Sequence, residues 1–519
     1  MRAARTVPRA PRGPLERALR SAARAGARAL SRPADAGLRE RARLRLVAVV
    51  FVIYVLAIFE GSIRKFLLPQ WSQYIFFIRD PFLIYAYLLA TRHRLWPQRG
   101  VFFTLSVAMC GLGVLLLALQ IAIGGLDDTR ILLGIYGWRG YFFYVPLAFL
   151  VGEQFHSADL ARFAKITLWI AVPVAALVVV QFNAPLTDAV NRGISEEEQY
   201  QFKGIGLNGE RIRPTGPFTS SAGQQQFVGT AFALALALLV VPQRRRNVGL
   251  LTLVAGTLAV LTCVALGGSR GTTIQCAISA AFALSLSFIG RGGMVKARAL
   301  LLPGVLVVAA IFLYPVVFPA GYDAFAERWT TAAAAETAFE GGVFGRALFG
   351  LIEFTRLLND VPTLGYGLGY AGNASTTLQV IVDGVKPGSL AEADFARQMV
   401  DLGPALGLAY IAFRVSLVVW LGMMVWRATR REGQAMPLLL FSYVSHTVLA
   451  GQITGHGTIN VYGWLFAGLT IAASRVATSP VRQDLMRRRH RRAFAFSRSP
   501  RPAAPPLVSP LHTSPSQLR

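Results

Sequence analysis

Several arginines stand where an apolar chain least tolerates fixed charge. Arg211 and Arg213 lie in RIRPTGPFTSSAGQQQF (211–227), directly ahead of a long apolar run. Arg270 sits in the tight GGSRG turn (267–271), Arg139 in GIYGWRGYFFYVP (134–146), and Arg64 with Lys65 in EGSIRKFLLP (60–69). Each has glycine or proline close by. A guanidinium presents a planar fork of N–H donors that matches two phosphate oxygens at once. Any one of these side chains could instead snorkel to the interface or pair with a loop acid. Their recurrence at the mouths of apolar runs suits an anionic ligand.

The carboxylates nearest apolar structure in the long polar block are Glu327, Glu353, Glu392, Asp394 and Asp401. Glu353 and Arg356 have the i,i+3 spacing of a helix-surface ion pair. Glu392 and Asp394 begin the run into an apolar segment, where one carboxylate could act as general base towards a hydroxyl. His456, in GQITGHGTIN (451–460), reads first as a hydrogen-bonded histidine at a helix end; an ionisable group near membrane depth is also a functional candidate by default. It is kept among the binding candidates.

Other chemistries find little support. No HExxH or Walker sequence occurs, and Cys110, Cys263 and Cys276 all lie inside apolar runs with no CxxC pair. No metal and no cofactor are expected. GLGYAG (367–372) matches G-x-G-x-x-G, but a dinucleotide fingerprint needs a strand before it and a helix after it. A helix and a proline precede this copy, so its glycines read as tight turns.

The elements that must position these residues are membrane helices. Of 519 residues, 54% are hydrophobic and 15% charged, and the polar residues collect at the two ends and in two internal blocks. About 20 apolar residues cross a bilayer as helix. Twelve candidate spans fall near 45–63, 73–90, 101–123, 131–151, 163–182, 224–241, 248–266, 272–289, 299–318, 402–425, 436–450 and 456–474. The expectation is an all-α polytopic helix bundle with a large helical extracytoplasmic loop. Its parts are a basic cytoplasmic tail (1–44), nine spans (45–318, with an outer loop 183–223), the large loop (319–401), three spans (402–475) and a basic, disordered tail (476–519). Residues 1–45 end with no cleavage site, so the first span reads as a signal anchor. PLERALRSAARAGARAL (14–30) reads either as a helix lying on the membrane or as disorder.

Charge sets the orientation. With the N-terminus in the cytoplasm, four of the five inner turns (TRHRLWPQR, QRRRN, GRGGMVKAR and WRATRRE) are net positive, the fifth, 152–162, is mixed, and the MRRRHRR tail also lands inside, as the positive-inside rule favours. The block 319–401 carries ten acidic and five basic residues and lands outside. The arginines at the span mouths then face away from the cytoplasm. The formal net charge of +27 is concentrated in the tails, thirteen arginines falling in the first 45 residues. This distribution suits an anionic leaflet and membrane lipids rather than nucleic acid.

EGSIRKFLLP with IRDP (78–81), GWRGYFFYVPLAFL (137–150), RPTGPFTSSAGQQQF (213–227), GSRG (268–271), ERW (327–329), PTLGYGLG (362–369) and the closing GQITGHGTINVYGWLFAGL together resemble the O-antigen ligase/polymerase superfamily. The likeness spans roughly residues 45–475. It implies a metal-independent glycosyltransferase of the bacterial inner membrane with an external active site. The donor would be a polyprenyl-diphosphate-linked glycan, and other polysaccharide assembly proteins would be partners. Arginines would bind the diphosphate: Arg213 and Arg270 foremost, Arg139 and Arg211 in support, Arg328 and Arg356 as further candidates. Ligases usually carry a histidine in the large loop just before the following span. Residues 319–401 hold none, and AEADFARQMVDLG takes that place. This favours a polymerase whose base would be Glu392 or Asp394. The rival readings are a transporter or flippase of the same lipids, and a non-catalytic subunit of a polysaccharide export complex.

Overall fold

A computed structural model describes residues 33–124, 128–194, 211–241, 248–290, 293–336, 342–372, 375 and 391–478. The 14–30 segment, both far tails and residues 376–390 of the large loop lie outside the described residues. The protein is all-helical: helix makes up 81%, and no strand occurs among the described residues.

Length and apolarity dictate the architecture. The helices are α1 (Pro33–Ser62), α2 (Asp80–Arg92), α3 (Val101–Gly124), α4 (Asp128–Trp138), α5 (Val145–Gln154), α6 (Ser157–Asn183), α7 (Ser221–Val240), α8 (Leu250–Leu266), α9 (Arg270–Ile289), α10 (Gly293–Phe312), α11 (Pro319–Glu336), α12 (Gly342–Ile352), α13 (Asp394–Glu432), α14 (Met436–Ala450) and α15 (Gly457–Thr478). Seven helical segments among the described residues are long and apolar enough to cross a membrane: Gly37–Leu67, Pro69–Arg92, Val101–Ile123, Ser157–Asn183, Ser221–Val240, Arg270–Ile289 and Asp394–Glu432. In lipid every backbone polar group has to be satisfied within its own segment, which a helix does.

The core forms around α7 and α15. The most apolar stretch of α7 is 89% buried, against 17% for α3, so α7 stands inside the bundle and α3 at its rim. Alanines alternate with larger residues along AFALALALLV (231–240). Small residues let helix backbones approach closely where lipid offers no hydrophobic drive for association. From α15, Tyr462, Trp464, Leu465 and Phe466 are fully buried, with Tyr462 stacked on Phe466 and Phe466 edge-on to Phe163 of α6.

Three irregularities interrupt the helices. π-helical turns occur at Ile63–Leu67, after α1, and at Arg139–Phe143, between α4 and α5. Such turns widen a helix and re-aim its side chains. In α13, Gly403 at φ 76° and Pro404 kink the chain. Pro404 cannot continue the ladder, and Gly403 takes a conformation open to few other residues. The 362–369 turn packs into that kink, where Tyr366 N donates to Val400 O at 2.8 Å.

At the same end α13 is tied to α14. Arg414 and Asp394, both fully buried, form an ion pair. Arg414 also donates to the carbonyls of Val448 (2.8 Å) and Gly451 (3.1 Å), where a cation complements the helix C-terminus. Asp394 accepts in turn from Thr454 Oγ1 at 2.7 Å and Gln398 Nε2 at 3.3 Å. Removing one member of a buried pair strands the other charge, which costs about 3–5 kcal/mol. Arg414→Met is therefore expected to lower the midpoint of thermal unfolding in detergent, and Arg414→Met with Asp394→Asn to regain most of the loss. Equal losses in the single and double variants would show that the pair carries no such energy.

Candidate functional site

The PTGP turn ahead of α7 is fastened on three sides. Lys65, buried in the first π-turn, donates to Thr215 Oγ1 at 2.9 Å, and Ser62 donates to Pro217 O at 3.2 Å. Gln181 of α6 grips Gly216 from both directions: its Oε1 accepts from Gly216 N at 2.8 Å and its Nε2 donates to Gly216 O at 3.2 Å. Buried polar groups so paired hold a loop rigidly. The turn delivers Arg213 to one side of the α7 N-terminus and Ser220 to the other.

Arg213 reaches across 57 positions of chain to Ser269, the residue next to Arg270. Arg213 Nη2 donates to Ser269 Oγ at 2.8 Å. Ser269 caps α9, its Oγ accepting from Thr272 N at 3.4 Å, and Arg270 opens that helix with its guanidinium carbon 5.8 Å from the Trp329 ring centre. Gln225 of α7 packs against Gly271, so α7 and α9 begin side by side. Both arginines are partly open to solvent. Two helix N-termini with their partial positive charge, two guanidiniums and a cap hydroxyl make a ready receptor for an oxyanion.

His456 stands across the α7 N-terminus. Its Nε2 and Ser220 Oγ share a hydrogen bond of 3.2 Å, while its Nδ1 is buried and has no hydrogen-bond partner.

The remaining sequence candidates are placed elsewhere or engaged. Arg139 grips Asp80 through two N–H groups, one at 3.0 Å, and lies 4.7 Å over Phe76; Tyr144 OH also donates to Asp80, at 2.7 Å. It therefore fastens the second π-turn to the start of α2. Arg211 donates to Phe182 O and Asn183 Oδ1, both at 3.3 Å, closing the end of α6. Arg356 is exposed and stacks 5.0 Å over Phe349. Glu353 does not pair with it: the carboxylate accepts from Glu392 N (3.1 Å) and Ala393 N (2.7 Å), just ahead of α13. Glu392 is exposed, and the Asp394 carboxylate is taken by Arg414 and Thr454. Arg328 lies on α11, and its side chain is outside the described residues. Among the described residues no three His, Cys, Asp or Glu converge as metal ligands would.

Sequence reasoning missed Arg79 and Arg397. Arg79 stands in the IRDP stretch and is wholly buried; its Nη2 is 3.0 Å from Glu60 Oε2, yet among the described residues no guanidinium nitrogen completes a hydrogen bond. Arg397 is partly open. Nothing local marked either residue, because the contacts that define them come from loops far along the chain. Beneath the crevice a polar seam links three helices: Tyr443 to Gln226 at 2.6 Å, Gln275 to His446 at 3.0 Å and Ser279 to Ser442 at 2.9 Å.

Fold and site together define an α-helical bundle with helices long and apolar enough to cross a membrane, and with Arg213 and Arg270 beside Ser269 at the start of α9. Comparison with protein-family models and with curated proteins gives no match.

Proposed function

We propose that this protein is a membrane glycosyltransferase that polymerises or transfers glycans carried on polyprenyl diphosphate, similar to O-antigen polymerases. The observation that carries the reading is the bond from Arg213 to Ser269, the residue next to Arg270, beside the first turns of α7 and α9. In this reading the bundle crosses a bacterial inner membrane about twelve times with both termini cytoplasmic, as the loop charges favour. The crevice then opens on the extracytoplasmic face.

The chemistry follows from where charge develops. An acceptor hydroxyl oxygen bonds to the anomeric carbon of the donor sugar as the bond from that carbon to the diphosphate oxygen breaks, with inversion. The departing electron pair leaves negative charge on the diphosphate. Arg213, Arg270 and the helix N-termini are already oriented to stabilise that charge, and preorganised donors of this kind are worth most in a water-poor site. Arg139 and Arg211 support the site by fixing its walls.

Purified protein in detergent, given a polyprenyl-diphosphate glycan, is expected to lengthen it. Arg213→Ala and Arg270→Ala are each expected to lower transfer by about 10²–10³-fold without loss of fold. Normal polymer length in cells carrying both substitutions would overturn the assigned roles. Passage of intact donor across liposomes without elongation would instead make the protein a transporter.

A further inference from the structure

Gly37–Leu67 and Pro69–Arg92, each long and apolar enough to cross a bilayer, meet at Leu68. A hairpin tip between two such spans lies at the depth of lipid headgroups. Phe66, Leu67 and Leu68 are exposed at the tip, Leu67 by 70%, and Trp71 and Tyr74 stand exposed just beyond it. Tryptophan and tyrosine collect where a membrane meets water. The backbone here is fixed. The π-turn Ile63–Leu67 leads into two short helices, Pro69–Trp71 and Ser72–Ile75, and Arg64 Nε donates across to Ser72 Oγ at 3.0 Å.

Behind this apolar tip, two guanidiniums share one carboxylate. Arg64 Nη1 lies 3.4 Å from Glu60 Oε1, and Arg79 Nη2 lies 3.0 Å from Glu60 Oε2. The neighbouring carboxylate, Asp80, is held by two N–H groups of Arg139 and by Tyr144 OH. Arg79 is wholly buried, and among the described residues none of its guanidinium nitrogens completes a hydrogen bond. Arg64 is partly open. Its Nε and Nη1 are engaged, while Nη2 has no partner among the described residues. The Phe76 ring stands between Arg64, 5.5 Å from its centre, and Arg139, at 4.7 Å. The pair therefore keeps one positive charge in excess, where an unanswered charge is costly.

We propose that Arg64 and Arg79 form the seat of an anionic phospholipid, whose phosphodiester completes the Glu60 cluster and whose acyl chains lie along Phe66, Leu67 and Leu68. The charges match. The cluster carries one positive charge in excess and a phosphodiester one negative charge, whereas a diphosphate carries more. The shape of the ligand matches too. Cation and exposed apolar residues belong to one turn, so the head and the chains of a single amphiphile are met together. A phosphate oxygen accepts from Arg64 Nη2 and lies in the field of Arg79 behind it, and such charge-assisted bonds are the strong ones. A zwitterionic lipid brings an ammonium group that the same cluster repels. The seat also borders the anion site described above: Lys65, the residue after Arg64, donates to Thr215 in the turn that carries Arg213. The inference goes beyond the glycosyltransferase reading and does not depend on it.

The test uses the full chain in phosphatidylcholine nanodiscs doped with phosphatidylglycerol that carries a photoactivatable acyl chain, the cross-linked residues being mapped by mass spectrometry. Labelling is expected within 66–74, displaced by unlabelled phosphatidylglycerol and not by phosphatidylethanolamine. Arg64→Gln is expected to lower it about fivefold, the attraction that one arginine adds towards an anionic lipid, and Arg64→Lys to keep part of it. Equal labelling by a photoactivatable phosphatidylcholine, or labelling unchanged in Arg64→Gln, would show ordinary bilayer contact and overturn the inference. An absence of labelling within 66–74 would do the same. Displacement by farnesyl diphosphate would overturn it in favour of a substrate site. Because Arg79 is wholly buried and its replacement risks misfolding, the partly open Arg64 carries the variants. If Arg64→Gln also fails to fold, competition among the lipids in the unaltered protein decides alone.

Discussion

A fixed positive charge inside a lipid-embedded bundle has to be answered by an anion, a carbonyl or a ligand, and the ways in which this protein answers its arginines organise most of its structure. An isolated charge in a low-dielectric interior is too costly to persist. Arg414 is answered by Asp394 and by the free carbonyls ending α14. At the opposite end, Arg43 meets Asp159 at 2.8 Å and Gln154 O at 3.0 Å, while Arg475 reaches Gly152 O and Phe155 O. Those carbonyls close α5. Helix C-termini thus take up arginines that would otherwise need carboxylates, which are scarce in this chain.

The crevice departs from that economy. Arg213 and Arg270 sit at helix N-termini, where the backbone field repels rather than attracts a cation. Arg79 has a carboxylate beside it but, among the described residues, no completed hydrogen bond, and Arg397 presses on a glycine. Natural proteins retain such arrangements where a local rule is broken for function. The walls around these residues are the opposite: Lys65–Thr215, Gln181–Gly216 and Arg139–Asp80 are well-made contacts between distant segments. These contacts fix the segments that carry the arginines.

Much of this was legible in the sequence, for reasons of period and length. Runs of apolar residues as long as a bilayer is thick can form little else but helices. DAFAERWTTAAAAETAFE and VFGRALFGLIEFTRLLND each read as one helix; the described part of the first lies in α11, while the second is α-helical as α12 only to Ile352 and continues as a 3₁₀ turn over Glu353–Leu357. The run 131–151, read as one span, is two helices broken at a π-turn, because the irregular backbone is held by a pair 59 residues apart, Arg139 with Asp80. That distance also explains why the individual arginines were harder to sort than their positions at span mouths. Arg139 and Arg213 look alike locally, each beside a glycine or proline; only the fold gives the first a carboxylate and the second a serine at a helix cap. The carboxylate candidates suffered from the same blindness. Asp394 reads as a free acid at the head of a helix until Arg414, five turns on, is brought back to it by the kink and by the 451–454 turn.

That last contact bears on the chemistry. A general base has to present a lone pair to the incoming hydroxyl. Asp394 spends its oxygens on a buried guanidinium, a threonine and a glutamine, and so gives the crevice shape rather than reactivity. What Asp394 shapes is the GQITGHG turn itself, because Thr454 lies two residues before His456. Asn460 extends the same bracing, donating to Ile453 O at 2.7 Å and to Gly140 O. The Asp394 carboxylate and His456 are therefore linked through one loop, which the carboxylate fixes at Thr454. Their separation by sixty-two residues, with a kinked helix between them, is why neither role could be assigned from spacing alone.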